Sequence, residues 1–190
     1  MRAGAMIRGR SWWSMALLPV LLAATAGAVE AQAASQYDIK VAFLINFARY
    51  TEWPDESDGT GPSEDQRVEV CVLGRDPFGV VLDELDGREV GTRTVAIRRA
   101  TDARELTDCH VLFVARSEEG QFTEALDALE KRPILTVGDA AGFIESGGMI
   151  NLVIRSNKLR FIINIEAVDA SGLDLSSRLL RLAVDGDGSH

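Results

Sequence analysis

Residues 68–79 read Val-Glu-Val-Cys-Val-Leu-Gly-Arg-Asp-Pro-Phe-Gly. The first six are nearly all apolar, mostly β-branched, and closed by Gly74, so 68–73 reads as a short strand buried on both faces. Asp76 and Pro77 then open a short helix over 77–85, with proline accepted in the first turn and Asp76 placed to cap it. A doubly buried strand followed by a helix is the repeating unit of a parallel sheet.

The unit recurs further along. Stretches 92–97, 110–114 and 134–137 are strand-like, and 103–106 offers a weak helical turn. Over 118–131 the residues Phe122, Leu126 and Leu129 fall on one helical face, which ends before Pro133. A short helix through Phe143 follows, with Asp139 expected at its N-cap, and then a turn at Gly147-Gly148. Beyond that the pattern changes. Two apolar runs, 149–154 and 159–165, flank the polar Arg155-Ser156-Asn157-Lys158, which predicts an antiparallel hairpin. A last helix over 176–184 is expected to turn Leu179, Leu180 and Ala183 toward the body. The fold class expected is therefore α/β, with three layers: a mostly parallel sheet, helices on both faces, and a C-terminal antiparallel hairpin.

Upstream, 37–50 carries Val41, Ala42, Ile45 and Phe47 at helical spacing, and Trp53-Pro54 ends the helix. Residues 55–66, rich in Asp, Glu, Gly and Ser, read as a surface loop. The start is different again. Arg2, Arg8 and Arg10 precede an apolar run over 12–28 and the small-residue sequence Ala31-Gln32-Ala33. That is the pattern of a secretory signal peptide cleaved after Ala33, the alternative being an uncleaved N-terminal anchor. The apolar run is shorter than the roughly 20 residues a spanning helix needs and contains Pro19. The expected organisation is a signal peptide over 1–33, one domain over 34–184, and a disordered tail over 185–190, with the mature chain outside the cytoplasm and not inserted directly in a membrane.

Charge and cysteine content narrow the function. The formal charge is −9 and grows more negative once the three arginines and Glu30 of the leader are set aside, so nucleic acid is not an expected partner. Two cysteines, Cys71 and Cys109, would meet an oxidising compartment, where a disulfide between them is expected, two free buried thiols being the alternative.

Catalytic chemistry is hard to find. Only His110 and His190 are available, which leaves a histidine triad or a histidine-rich metal site without material. Cys109 and His110 are adjacent on a strand and point to opposite faces. Ser146-Gly147-Gly148 lacks the G-x-S-x-G pattern and reads as a tight turn. No cofactor and no metal is expected, and the chain is not expected to be an enzyme. Gly74-Arg75-Asp76, with Asp139, lies where open α/β sheets gather ligands, which supports an alternative reading as a small-ligand receptor or solute-binding component.

Three stretches together resemble the YfiR-like family: VAFLINFARYTEWP, with its Trp-Pro ending; VCVLGRDPFG and CHVLFVARSEE; and the C-terminal ILTVGDAAGFIESGGMINLVIRSNKLRFIINIEAVDASGLDLSSRLLRLA. The order GGMINL, RFIIN, SSRLLRLA is the specific part. The resemblance implies a periplasmic regulator that binds, and represses, the exported sensor region of a membrane signalling enzyme such as a diguanylate cyclase, controlling cyclic di-GMP output and biofilm formation. It also implies a homodimer, and a disulfide at the positions of Cys71 and Cys109. On the motif, Gly147, Gly148, Arg160 and Asn164 read as structural, Asn164 as the cap of the helix after the hairpin. Candidate partner contacts are Trp53, Ile150, Leu152, Phe161 and Ile163, the hairpin residues through an apolar patch left by strands apolar on both faces.

Overall fold

The computed structural model describes residues 36–54, 67–129, 132–186. The leader over 1–33, the acidic loop over 55–66 and most of the tail lie outside the described residues.

Helix α1 covers 36–49 and is followed by the two-residue strand β1 (Thr51–Glu52). Then come β2 (Arg67–Leu73), α2 (Val80–Asp83), β3 (Glu89–Val90), β4 (Arg93–Ala100) and β5 (Val111–Val114). After α3 (Phe122–Asp127) and β6 (Leu135–Gly138), the hairpin β7 (Ile150–Arg155) and β8 (Lys158–Ile163) leads to α4 (Ile165–Ser171), β9 (Asp174–Leu175) and α5 (Ser177–Leu180). Seven strands form one sheet in the order β3-β4-β2-β5-β6-β7-β8, while β1 and β9 pair separately. The pairs β4–β2, β2–β5, β5–β6 and β6–β7 are parallel, and β3–β4 and β7–β8 are antiparallel. The α/β class, the mostly parallel sheet and the C-terminal hairpin are as expected from the sequence.

The strands show why they read as doubly buried. Along β2, Val68, Val70 and Val72 pack into one hydrophobic cluster with α1, while Cys71 and Leu73 pack into a second beneath α3. On β5, Val111 and Phe113 join the first cluster, Leu112 and Val114 the second. The hairpin closes on Ser156 and Asn157, both with positive φ of 48° and 58°, which is the backbone twist that suits a two-residue connection.

Several helices are shorter than the sequence pattern predicted. Helix α2 starts at Val80 behind Gly79, whose φ is 55°, so Asp76 does not cap it. Instead Asp76 Oδ1 accepts from the Phe78 N–H at 2.7 Å. The segment expected to be helical from 118 is a 3₁₀ turn at Arg116–Glu118 before α3 begins at Phe122. The stretch through Phe143 is a series of turns rather than a helix. In it the Phe143 ring lies where a Cβ on Gly138 or Gly148 would go, and Gly147 takes a φ of 96°. That accounts for the glycine pair by close approach and turn geometry. Helix α5 is a single turn, and Leu180 is 39% exposed rather than packed inward, Leu179 alone of that pair being buried. Strands β1, β3 and β9 have two residues each, too few for periodicity to reveal.

Candidate functional site

Among the parallel strands the chain goes from β2 to β4 on one side, then crosses back to β5 on the other. The winding reverses between β2 and β5, and ligands of open α/β sheets bind outside the carboxyl ends of the strands at that reversal. A cleft of about 930 Å³ lies there, within the usual size range of ligand sites. Its walls come from the turn after β2 (Arg75, Asp76), the turn after β5 (Arg116, Ser117), Asp139 after β6, and Asn151 on β7. The first turn of α1, with Tyr37 and Lys40, covers it.

Polar contacts fix these walls. The Arg75 N–H donates to Ser117 Oγ at 2.8 Å, fastening the β2 turn to the β5 turn. Asp76 Oδ2 takes the Arg99 Nε at 2.8 Å, and Arg99 also reaches Asp83 at 2.6 Å. Burial works against the Arg99 charge, yet the hydrogen bonds to Asp76 and Asp83 outweigh it and raise its pKa. Asp139, expected as a helix cap, has no helix to cap. Its Oδ2 instead takes the Lys40 Nζ at 2.6 Å, with both side chains nine-tenths or more buried. Lys40 also stands 4.7 Å from the Tyr37 ring centre. Arg116 donates from Nη2 to the Asp139 carbonyl at 2.5 Å. Asn151 donates from Nδ2 to the Ala140 carbonyl at 3.0 Å.

Lys40 and Asn151 were not singled out by the sequence, though signals existed. Lys40 sits at spacings of four and seven from Leu44 and Phe47, on the buried stripe of α1. Asn151 is the one polar residue in the run Ile150-Asn151-Leu152-Val153-Ile154.

The candidate partner contacts sit elsewhere than expected. Trp53, Ile150, Leu152 and Phe161 are buried in the cluster under α1, and Ile163 is partly buried against it, so they are core residues and not a surface patch. The hairpin face carrying Ile150, Leu152, Phe161 and Ile163 packs against α1, while the other face carries the exposed Lys158 and Arg160. Phe161 contacts the Phe43 and Phe47 rings at 5.7 and 5.1 Å between centroids. Arg160 is exposed, and Asn164 caps α4, its Oδ1 accepting from the Ala167 N–H at 3.2 Å. His110 is held by β2, its Nδ1 accepting from the Glu69 N–H at 3.1 Å. Cys71 and Cys109 are joined by a disulfide, with 6.0 Å between their Cα atoms. Among the described residues there is no cluster of three or more potential metal ligands and no helix long and apolar enough to cross a membrane.

The class defined so far is a doubly wound α/β domain with an internal disulfide and a cleft at the winding reversal. The family model for DUF4154, YfiR/HmsC-like, matches residues 37–184, and the chain belongs to that family. The family is one of periplasmic regulators of diguanylate cyclase signalling, regulatory rather than catalytic. Among solved structures, the chain is similar to a conserved domain protein from Vibrio cholerae O1 biovar El Tor, at 12% identity and a TM-score of 0.46, covering 70% of this chain and 60% of that one. It is also similar to an ABC domain from Streptococcus pneumonia in complex with L-Trp, at 10% identity and a TM-score of 0.43, covering 63% of this chain and 54% of that one.

Proposed function

We propose that this protein is a regulator that binds the exported sensor region of a membrane-bound diguanylate cyclase and represses it, so lowering cyclic di-GMP output. The observation that carries the reading is the family match across residues 37–184, which takes in the helix α1, the disulfide pair and the hairpin together. The acidic charge agrees with a protein partner rather than a nucleic acid. The acting species is a homodimer, exported by its N-terminal leader.

The test is a pull-down from solubilised membranes with the purified protein as bait. Recovery of a membrane diguanylate cyclase, with lower cyclase activity on adding the bait, is the expected result. A clean blank with bait of unchanged circular dichroism would overturn the reading. Sedimentation of the same preparation reports whether the bait is dimeric.

A further inference from the structure

The cleft at the carboxyl ends of the sheet contains two buried acceptors that nothing in the described protein satisfies. Asp139 Oδ1 and Asn151 Oδ1 make no hydrogen bond, although the Asp139 side chain is 8% exposed and Asn151 is 8% exposed. Both residues line the cleft. A buried acceptor without a donor is disfavoured by one to a few hydrogen bonds' worth of lost solvation, and native folds keep such groups where a ligand or water completes them. The two oxygens therefore call for hydrogen-bond donors arriving from the cleft.

The charges around them decide what kind of donor. The inner pair, Lys40 and Asp139, cancels. Asp76 shares Arg99 with Asp83, which lies outside the cleft lining. That leaves the guanidinium groups of Arg75 and Arg116 on the wall as a positive surplus, Arg116 with 65% of its side chain exposed toward solvent. An ammonium brought to Asp139 would meet Lys40 already on the same carboxylate, with Arg116 3.9 Å from it. A neutral hydroxyl carries no such repulsion, while an anionic group is attracted by the two arginines.

We propose that this cleft binds a small hydroxylated anion, with hydroxyls donating to Asp139 Oδ1 and Asn151 Oδ1 and the carboxylate or phosphate meeting Arg75 and Arg116. The proposal rests on the geometry of the cleft and stands whether or not the partner is a diguanylate cyclase. Its ligand would let the envelope's small-molecule content act on the fold through α1, which roofs the cleft by Lys40.

Titration calorimetry and thermal shift on the full chain would use gluconate and glucose 6-phosphate as probes. Sorbitol supplies hydroxyls without charge, hexanoate charge without hydroxyls, and glucosamine hydroxyls with the opposite charge. The expected result is saturable binding of at least one hydroxylated anion, with the carboxylate and phosphate arms identifying which anionic group is preferred, and no response to the other three at the same concentration. Arg75→Ala and Arg116→Ala should each weaken binding roughly tenfold, with Arg116→Lys intermediate, since each removes a charge-assisted hydrogen bond from an exposed side chain. Binding of sorbitol or glucosamine as tight as that of gluconate, affinity unchanged in a folded Arg75→Ala/Arg116→Ala double variant, or silence from both anions would overturn the proposal.

Discussion

The two faces of the sheet are built differently. Beneath α1 the core is aromatic and interlocked: Phe47 meets Phe161 at 5.1 Å between centroids, Phe78 meets Phe113 at 4.7 Å, and Trp53 closes the same cluster. The opposite face is covered by the six-residue α3, a 3₁₀ turn at Ala103–Glu105 and a run of turns, and its aromatic contact among the described residues is Phe122 with Phe143, at 5.3 Å. That thinner layer holds the Cys71–Cys109 disulfide, both cysteines being buried in its cluster. A sheet hidden on both sides does not need equal cores. Where the helical cover is short, a covalent tie between two strand regions restricts the unfolded chain instead of adding buried area.

The sharpest way to break this contrast is to remove mass from the aromatic face. Phe47 is fully buried, so Phe47→Ala is expected to cost toward the upper end of the ~3–5 kcal/mol range for such truncations, read from denaturant midpoints at constant m-value. A loss near 1 kcal/mol would mean that the face under α1 collapses around the gap and is not interlocked. On the other face, Cys71→Ser or full reduction removes a tie across 38 residues of chain, with an expected cost of about 3–4 kcal/mol in the chain-entropy account. Hydrogen exchange then sharpens the comparison. The amides of α3 and of 103–109 should lose protection first, while β7 and β8, packed under α1, keep theirs. Simultaneous loss on both faces would show a single cooperative unit. The same variant in the pull-down separates a stability lock from a redox switch, because only a switch loses partner binding while the protein stays folded.

A smaller effect is expected at the glycine pair. Gly148→Ala puts a methyl into the Phe143 ring, which is fully buried and has Gly138 on another side, so overpacking of about 1–3 kcal/mol is expected. Gly148→Ala combined with Phe143→Leu should recover part of it, since the smaller side chain opens the space. Failure of that rescue would place the constraint in the backbone of the turn and not in the ring.

What could be read in advance follows chain length and period. The long β2, β4, β7 and β8 and the amphipathic α1 carry enough residues for their pattern to stand out, and the disulfide followed from compartment chemistry. The two-residue strands β1, β3 and β9 have no period to detect. The short α2 and α5 were overextended because apolar residues continue past the point where the chain turns, as Leu180 and Leu182 show by their exposure. For the cleft, Arg75, Asp76 and Asp139 were legible as residues after strands, but the Lys40–Asp139 pair joins positions 99 apart and needs the sheet order to be seen. The hairpin reads as a surface patch from composition because Ile150, Leu152, Phe161 and Ile163 look the same in sequence whether α1 or a partner covers that face.

The smallest effect bears on the hairpin motif itself. Asn164 lies between β8 and α4, its N–H donating to the Met149 carbonyl at 2.8 Å and its side chain accepting from Ala167. Two roles are open to a motif residue there: capping the helix, or touching a partner. Capping predicts that Asn164→Ala lowers stability by about 1 kcal/mol, roughly 2–4 °C for a domain of this size, and that Asn164→Asp restores it, because a carboxylate accepts the same bond and also suits the positive end of the helix. Partner contact predicts the reverse pattern, with both variants folding normally and both binding less. The side chain is half-buried at the junction where the hairpin returns to the body, and its amide oxygen is already engaged, so the capping outcome is the one expected.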